Sequence, residues 1–205
     1  MNPLLPTDSQ LDALREVANI GVGQAASALS RMVGGRRVDI GVPRAMVVER
    51  AELMQLLGGE GTQVVSASLG VVGDLSGQLL LVLMERDAVR LGAVLLGKPG
   101  TAEGPLGEDH RSAFAETANI LASACLSAIG KLTNFKLLPS VPTLAEDSAG
   151  AVMDRALTQL DSGPPGKAVV LECRFTTAGS VPIEGQLLVI PHLESLKRLL
   201  ERLGV

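Results

Sequence analysis

A repetition narrows the possible folds of this chain more than any other feature. EVANIGVGQAASALS begins at Glu16, and ETANILASACLSAIG begins at Glu116. Asp12, Glu16 and Asn19 are answered 100 positions later by Ser112, Glu116 and Asn119. Val42-Pro43 returns 99 positions on as Val141-Pro142, and SGQLLLV at Ser76 returns 108 positions on as EGQLLVI at Glu184. Each of these runs precedes a helix-like stretch, DAVRLGAVLLG in the first half and LESLKRLLERLG in the second. An offset that drifts in this way is what loops of unequal length between constant elements produce. Residues 1–100 and 101–205 therefore read as two halves with one plan: helix, extended Val-Pro segment, two strands, helix.

The halves are expected to share a core. Val64-Val65 and Val169-Val170-Leu171 read as strands, each followed by a Gly-containing turn and a GQLL strand, which predicts antiparallel hairpins. One half alone offers too few elements to cover both faces of a sheet, so a single domain with one shared sheet is expected rather than two independent units. Thr7 with Gln10 fits a capping box opening the first helix. Lys98 to Glu108 reads as a Gly/Pro-rich connector, and Asp161 to Lys167 as a loop inside the second half.

Placed on a helical wheel, Leu11, Leu14, Ala18, Val22, Ala25, Leu29 and Met32 gather on one arc that would pack on the sheet. Asp12, Glu16 and Asn19 stand at i, i+4 and i+7 and make a stripe well off that arc. Small residues (Gly23, Ala26, Ser27, Ser30) continue it, so a partner surface can approach closely. The second helix repeats the design. Phe114, Ala118, Ala122, Cys125, Ile129 and Leu132 form its expected buried arc, and Ser112, Glu116 and Asn119 its polar stripe, with Leu126 as a larger neighbour. A single Glu-x-x-Asn carries little weight, since Glu is common on exposed helix faces. Two copies weigh more, because the halves differ widely elsewhere and Asn is roughly 0.5 kcal/mol worse than Ala inside a helix.

Other chemistries find little footing. The net charge of -4, a pI near 5.3, and three Phe without Trp or Tyr argue against a nucleic-acid partner. Cys125 and Cys173 lack metal spacing and are expected to be reduced, Cys125 as a core residue. His110 and His192 have no partner spacing for a metal or a catalytic triad and are expected on the solvated surface. Gly21 to Gly23 lies within a helical pattern and lacks the ending of a phosphate loop. Glu146, Asp147 and Asp154 read as a solvated helix start before they read as a cation site. No signal peptide is evident, and the densest apolar run, LLLVLM at Leu79, is too short to span a bilayer, so a cytoplasmic protein without membrane insertion is expected.

The paired stripes, each followed by a Val-Pro segment, resemble the CheC family of chemotaxis phosphatases. The family signature, Asp or Ser, three residues, Glu, two residues, Asn, is met at Asp12-Glu16-Asn19 and at Ser112-Glu116-Asn119. The likeness runs from about residue 8 to the C-terminus. Two motifs set the chain apart from the single-motif, dimerising CheX type, and FliY-type members would carry a further switch domain beyond Val205. Gln24 stands where the family usually has Asn.

The resemblance implies an α+β fold, internally duplicated, with a largely antiparallel six-stranded sheet flanked by long helices. It implies hydrolysis of the aspartyl phosphate of a CheY-type response regulator, and stimulation by the receptor deamidase CheD. It casts Asn19 and Asn119 as water-orienting groups, Glu16 and Glu116 as anchors for the regulator's active-site lysine, and Asp12 and Ser112 as rim contacts. No cofactor or metal belongs to the chain itself under this reading, the Mg2+ being carried by the regulator. A non-catalytic module that docks CheD or a flagellar-switch component in receptor adaptation is the alternative.

Overall fold

Thr7 opens the first helix as its spacing predicts: its backbone N–H donates to Gln10 Oε1 at 3.0 Å, and Gln10 N–H donates to Thr7 Oγ1 at 3.4 Å. The computed structural model describes residues 5–98, 104–158, 167–179 and 182–205. The expected connector over 98–108 lies in part outside them, at 99–103, and the expected loop over 161–167 almost wholly so, at 161–166. Helix α1 (Asp8–Met32) leads to strands β1 (Val38–Ile40) and β2 (Arg44–Glu49), helix α2 (Arg50–Leu56), the hairpin β3 (Gln63–Gly73) and β4 (Gly77–Met84), and α3 (Glu85–Leu95). The same order follows as α4 (Glu108–Thr133), β5 (Leu137–Pro139), β6 (Thr143–Ser148), α5 (Ala149–Thr158), β7 (Lys167–Thr177), β8 (Glu184–Pro191) and α6 (Leu193–Leu203).

All pairings in the sheet are antiparallel, and its path runs β1-β7-β8-β4-β3-β5, with β2 also on β7 and β6 also on β3. The eight segments fill six strand positions. Each edge position is broken in two where a Val-Pro dipeptide falls, at Val42-Pro43 and Val141-Pro142, because proline brings no N–H to a ladder. Every edge pairs with the opposite half: β2 lies on β7, and β6 on β3. At the centre Leu80 faces Leu188, the residue 108 positions on.

The sheet is buried on both faces, and this accounts for the unbroken LLLVLM run. Leu79, Leu81 and Leu83 point with Leu69 and Val71 toward α1 and α4. Leu80 and Val82 point with Val170, Leu188 and Ile190 toward α2 and α5, packing on Leu53, Leu57, Val152 and Met153. Neither α2 nor α5 is anticipated by the repeat of helix, Val-Pro and hairpin; seven and ten residues are too few for a clear 3.6-residue period. Glu146 and Asp147 end β6 rather than starting a helix, which begins at Ala149.

Helices α1 and α4 pack on each other as well as on the sheet, so each buries a wider arc than one-sided packing predicts. Val17, Gly21 and Ala28 join the buried set of α1, and Thr117, Leu121 and Leu126 join that of α4. Leu132, expected in the core, is instead 49% exposed at the end of α4. Among the described residues α4 is the one helix long and apolar enough by composition to cross a membrane, and half of its most apolar stretch is buried inside the fold. Both cysteines are free and buried. The histidines depart from expectation. His110 is half-buried with its Cβ–ring edge against Gly92 of α3, and His192 is the half-buried residue preceding α6.

Candidate functional site

The closest approach of α1 and α4 sets where their outer faces stand. A Cβ built on Gly21 would lie 2.7 Å from Cys125 Sγ and 3.3 Å from Ile129 Cδ1, so only glycine lets the helices meet this tightly. With the seam and the sheet occupying one side of each helix, the residues roughly opposite are left outward. Asp12, Glu16 and Asn19 are exposed on α1, and Ser112 and Glu116 are exposed on α4, with Asn119 half-buried. Within each helix the Glu and Asn are separated by three residues, which brings their Cβ atoms to about 5–6 Å. The two trios stand on separate helices, one on α1 and one on α4.

Free polar groups distinguish these faces. Among the described residues no hydrogen bond or ion pair engages the side chains of Glu16, Asn19, Glu116 or Asn119. Asp12 differs, since Arg15 Nη1 donates to its Oδ1 at 2.7 Å. Both partners are largely exposed, which limits that pair to under about 1 kcal/mol. Beyond Glu16 the α1 face is flat: a Cβ on Gly23 would meet nothing within 4 Å, and Ser27 turns its hydroxyl back to donate to Gly23 O at 2.9 Å. Ile20, one position after Asn19, leaves 43% of its surface exposed.

The rims of the two sites differ in a way the repeat does not foretell. Beside Ser112, Arg111 donates from Nε to Glu146 Oε1 of β6 at 2.5 Å, and this bond raises the Arg111 pKa above its ordinary value. The corresponding positions around α1 are Leu11 and Val47, both partly buried against the core. The second rim carries the Arg111–Glu146 pair where the first has the apolar Leu11 and Val47. Glu146 could have been suspected from its place in an exposed strand, but its partner is 35 residues away, a separation that leaves no local signal.

No group of three His, Cys, Asp or Glu side chains among the described residues is arranged to hold a metal ion. An amide that can both accept and donate, one helical turn from a carboxylate, can orient a water and grip a cationic side chain. It lacks the basicity to take the water's proton outright.

Comparison with known proteins brings these faces into a family. The model of the CheC-like family matches residues 10–47, the stretch holding Asp12, Glu16 and Asn19. The CheY-P phosphatase CheC of Bacillus subtilis (strain 168) is 34% identical over 199 residues, covering 96% of this chain and 95% of that protein. The flagellar motor switch phosphatase FliY of the same organism is 28% identical over 137 residues, which are 66% of this chain and 35% of the longer protein. In fold, the crystal structure of Thermotoga maritima FliY superposes with a TM-score of 0.72 at 23% identity, covering 97% of both chains.

Proposed function

The chain belongs to the CheC-like family, and on that premise we propose that it is a phosphatase for the aspartyl phosphate of a CheY-type response regulator. The observation that carries the reading is the pair of outward helix faces, each with an unpartnered Glu and Asn three residues apart. An acyl phosphate already has a good leaving group, so its hydrolysis is governed by delivery of a water in line with phosphorus. Asn19 or Asn119 accepts a hydrogen bond from that water through its carbonyl oxygen and directs an oxygen lone pair at the phosphorus. Positioning of this kind lowers barriers by several kcal/mol, with about 7–11 kcal/mol as the limit in ideal intramolecular cases.

Glu16 and Glu116 serve docking. A carboxylate beside a phosphoryl group repels it unless a cation intervenes, and the regulator's active-site lysine supplies one. Asp12 and Ser112 make rim contacts. The Mg2+ that neutralises phosphoryl charge enters with the regulator as part of the substrate. CheD is proposed as a second partner that raises the activity.

The test is phosphate release from a phosphorylated CheY-type regulator by the purified full chain, with and without CheD. Acceleration by the chain alone, increased by CheD, is expected. Tight binding of the regulator without acceleration would overturn the catalytic reading in favour of a docking module.

A further inference from the structure

The face of the sheet away from α1 and α4 holds a pocket of about 210 Å³ between β3, β4, β6 and α5. Its floor is apolar, made by Leu80, Ala145 and Val152, and its polar side chains are Ser66, Ser68, Gln78, Ser140, Thr143 and Arg155. Gln78 is only 8% exposed. One end of its amide is engaged by Ser68 Oγ at 3.2 Å, and the other end meets no partner among the described residues.

The related positions in the other half show how such a place is closed. Gln186, the counterpart of Gln78, donates its amide to Leu56 O at the end of α2 at 3.0 Å. The helix matching α2 is α5, ten residues long against seven, and no carbonyl of it reaches Gln78. Across the sheet, β3 maps onto β7 and β6 onto β2, so the facing pair Ser68 and Thr143 corresponds to Glu172 and Arg44. Arg44 donates to the buried Glu172 at 2.6 Å, and Arg174 donates to it at 3.0 Å. There the buried carboxylate is held by charge, while Gln186 Oε1 is left buried without a hydrogen-bond partner among the described residues. In this half two hydroxyls and an open-ended amide stand in the same positions.

The lining favours an anion. Among the described residues no acidic side chain lines the pocket, and Arg155 stands at it in an ion pair with Asp147, which takes one of its five N–H donors at 2.9 Å and leaves the others for a further anion. The apolar floor calls for a carbon chain, and the Gln78–Ser68 pair for a second oxygen function. We infer that this pocket binds a small hydroxy- or oxo-carboxylate. Its carboxylate lies against Arg155 and Thr143, its hydroxyl or keto oxygen against Gln78, and its chain on Leu80 and Val152. The pocket and the outward faces of α1 and α4 are on opposite sides of the sheet, so binding here stands independently of the phosphatase reading.

The experiment is a titration of the full chain, followed by amide-resolved NMR, with malate and 2-oxoglutarate as probes and inorganic phosphate and erythritol as controls. Saturable shifts confined to β3, β4, β6 and α5 are expected for at least one acid, weakened about tenfold in Gln78→Leu by loss of a hydrogen bond. Thr143→Val, on the exposed rim, is expected to weaken binding in the same way and serves if Gln78→Leu fails to fold. Absence of saturation below about 20 mM, a concentration corresponding to negligible affinity, overturns the inference. So do equal affinities for phosphate or erythritol at the same amides, or binding indifferent to both substitutions.

Discussion

Gly21 and Gly23 are two residues apart on one helix, and the fold predicts opposite outcomes when each becomes alanine. Removing glycine from a helix interior gains about 0.8–1.0 kcal/mol from the backbone alone. At Gly23 that gain is kept, because the added methyl meets nothing within 4 Å. At Gly21 the methyl would stand 2.7 Å from Cys125 Sγ and 3.3 Å from two atoms of Ile129, all in the buried seam. Overpacking of this kind costs about 1–3 kcal/mol, more than the helix gains. Gly21→Ala is therefore expected to destabilise by about 1 kcal/mol and Gly23→Ala to stabilise by about 1 kcal/mol, a gap of about 2. In a chain of this size that gap is about 4–8 °C in Tm. Urea unfolding followed by far-UV circular dichroism reads it as opposite shifts in midpoint at constant slope. Cys125→Ala removes the obstructing sulfur, so its combination with Gly21→Ala should recover about 1 kcal/mol over additivity. Equal stabilisation by both alanines would refute the close helix contact on which the placement of the two sites rests.

Burial pushes the thiol pKa of Cys125 and of Cys173 up to about 12 from 9.0, and for Cys173 the neighbouring Glu172 adds to the rise. The native state thus holds these protons more tightly than the unfolded chain does. The stability this represents is complete below pH 9 and lost as pH rises from 9 toward 12. Unfolding midpoints measured at pH 8 and pH 10.5 should fall with pH, and Cys125→Ala combined with Cys173→Ala should flatten the decline. Arg44→Met leaves the 2% exposed Glu172 with Arg174 alone. The expected loss is about 1–3 kcal/mol in thermal or urea unfolding, less than for a fully buried pair because Arg44 is half exposed. Glu172→Gln in the same background should restore part of it by removing the uncompensated charge.

Much of the fold is written in short-range pattern. Thr7 and Gln10 lie three residues apart and cap α1, and the repeated GQLL runs, each after a Gly-containing turn, give β4 and β8 at their observed places. The outward stripe is equally local, since residues at i, i+4 and i+7 share a face whatever the helix packs against. What sequence pattern misses depends on distant partners. Leu126 is drawn into the core because α4 meets α1 as well as the sheet. The exchange of edge strands, β2 onto β7 and β6 onto β3, joins residues such as Arg44 and Glu172 that stand 128 positions apart. The Arg111–Glu146 rim arises in the same way and makes the two sites unequal although their motifs match.

The central claim is that amides presented by α1 and α4 aim water at a phosphorylated carboxylate. Its most direct test is the rate of phosphate release from a phosphorylated regulator in Asn19→Ala combined with Asn119→Ala. The account predicts that acceleration falls to the regulator's own rate while the complex still forms, because Glu16 and Glu116 are untouched. Undiminished turnover in that double variant would contradict it.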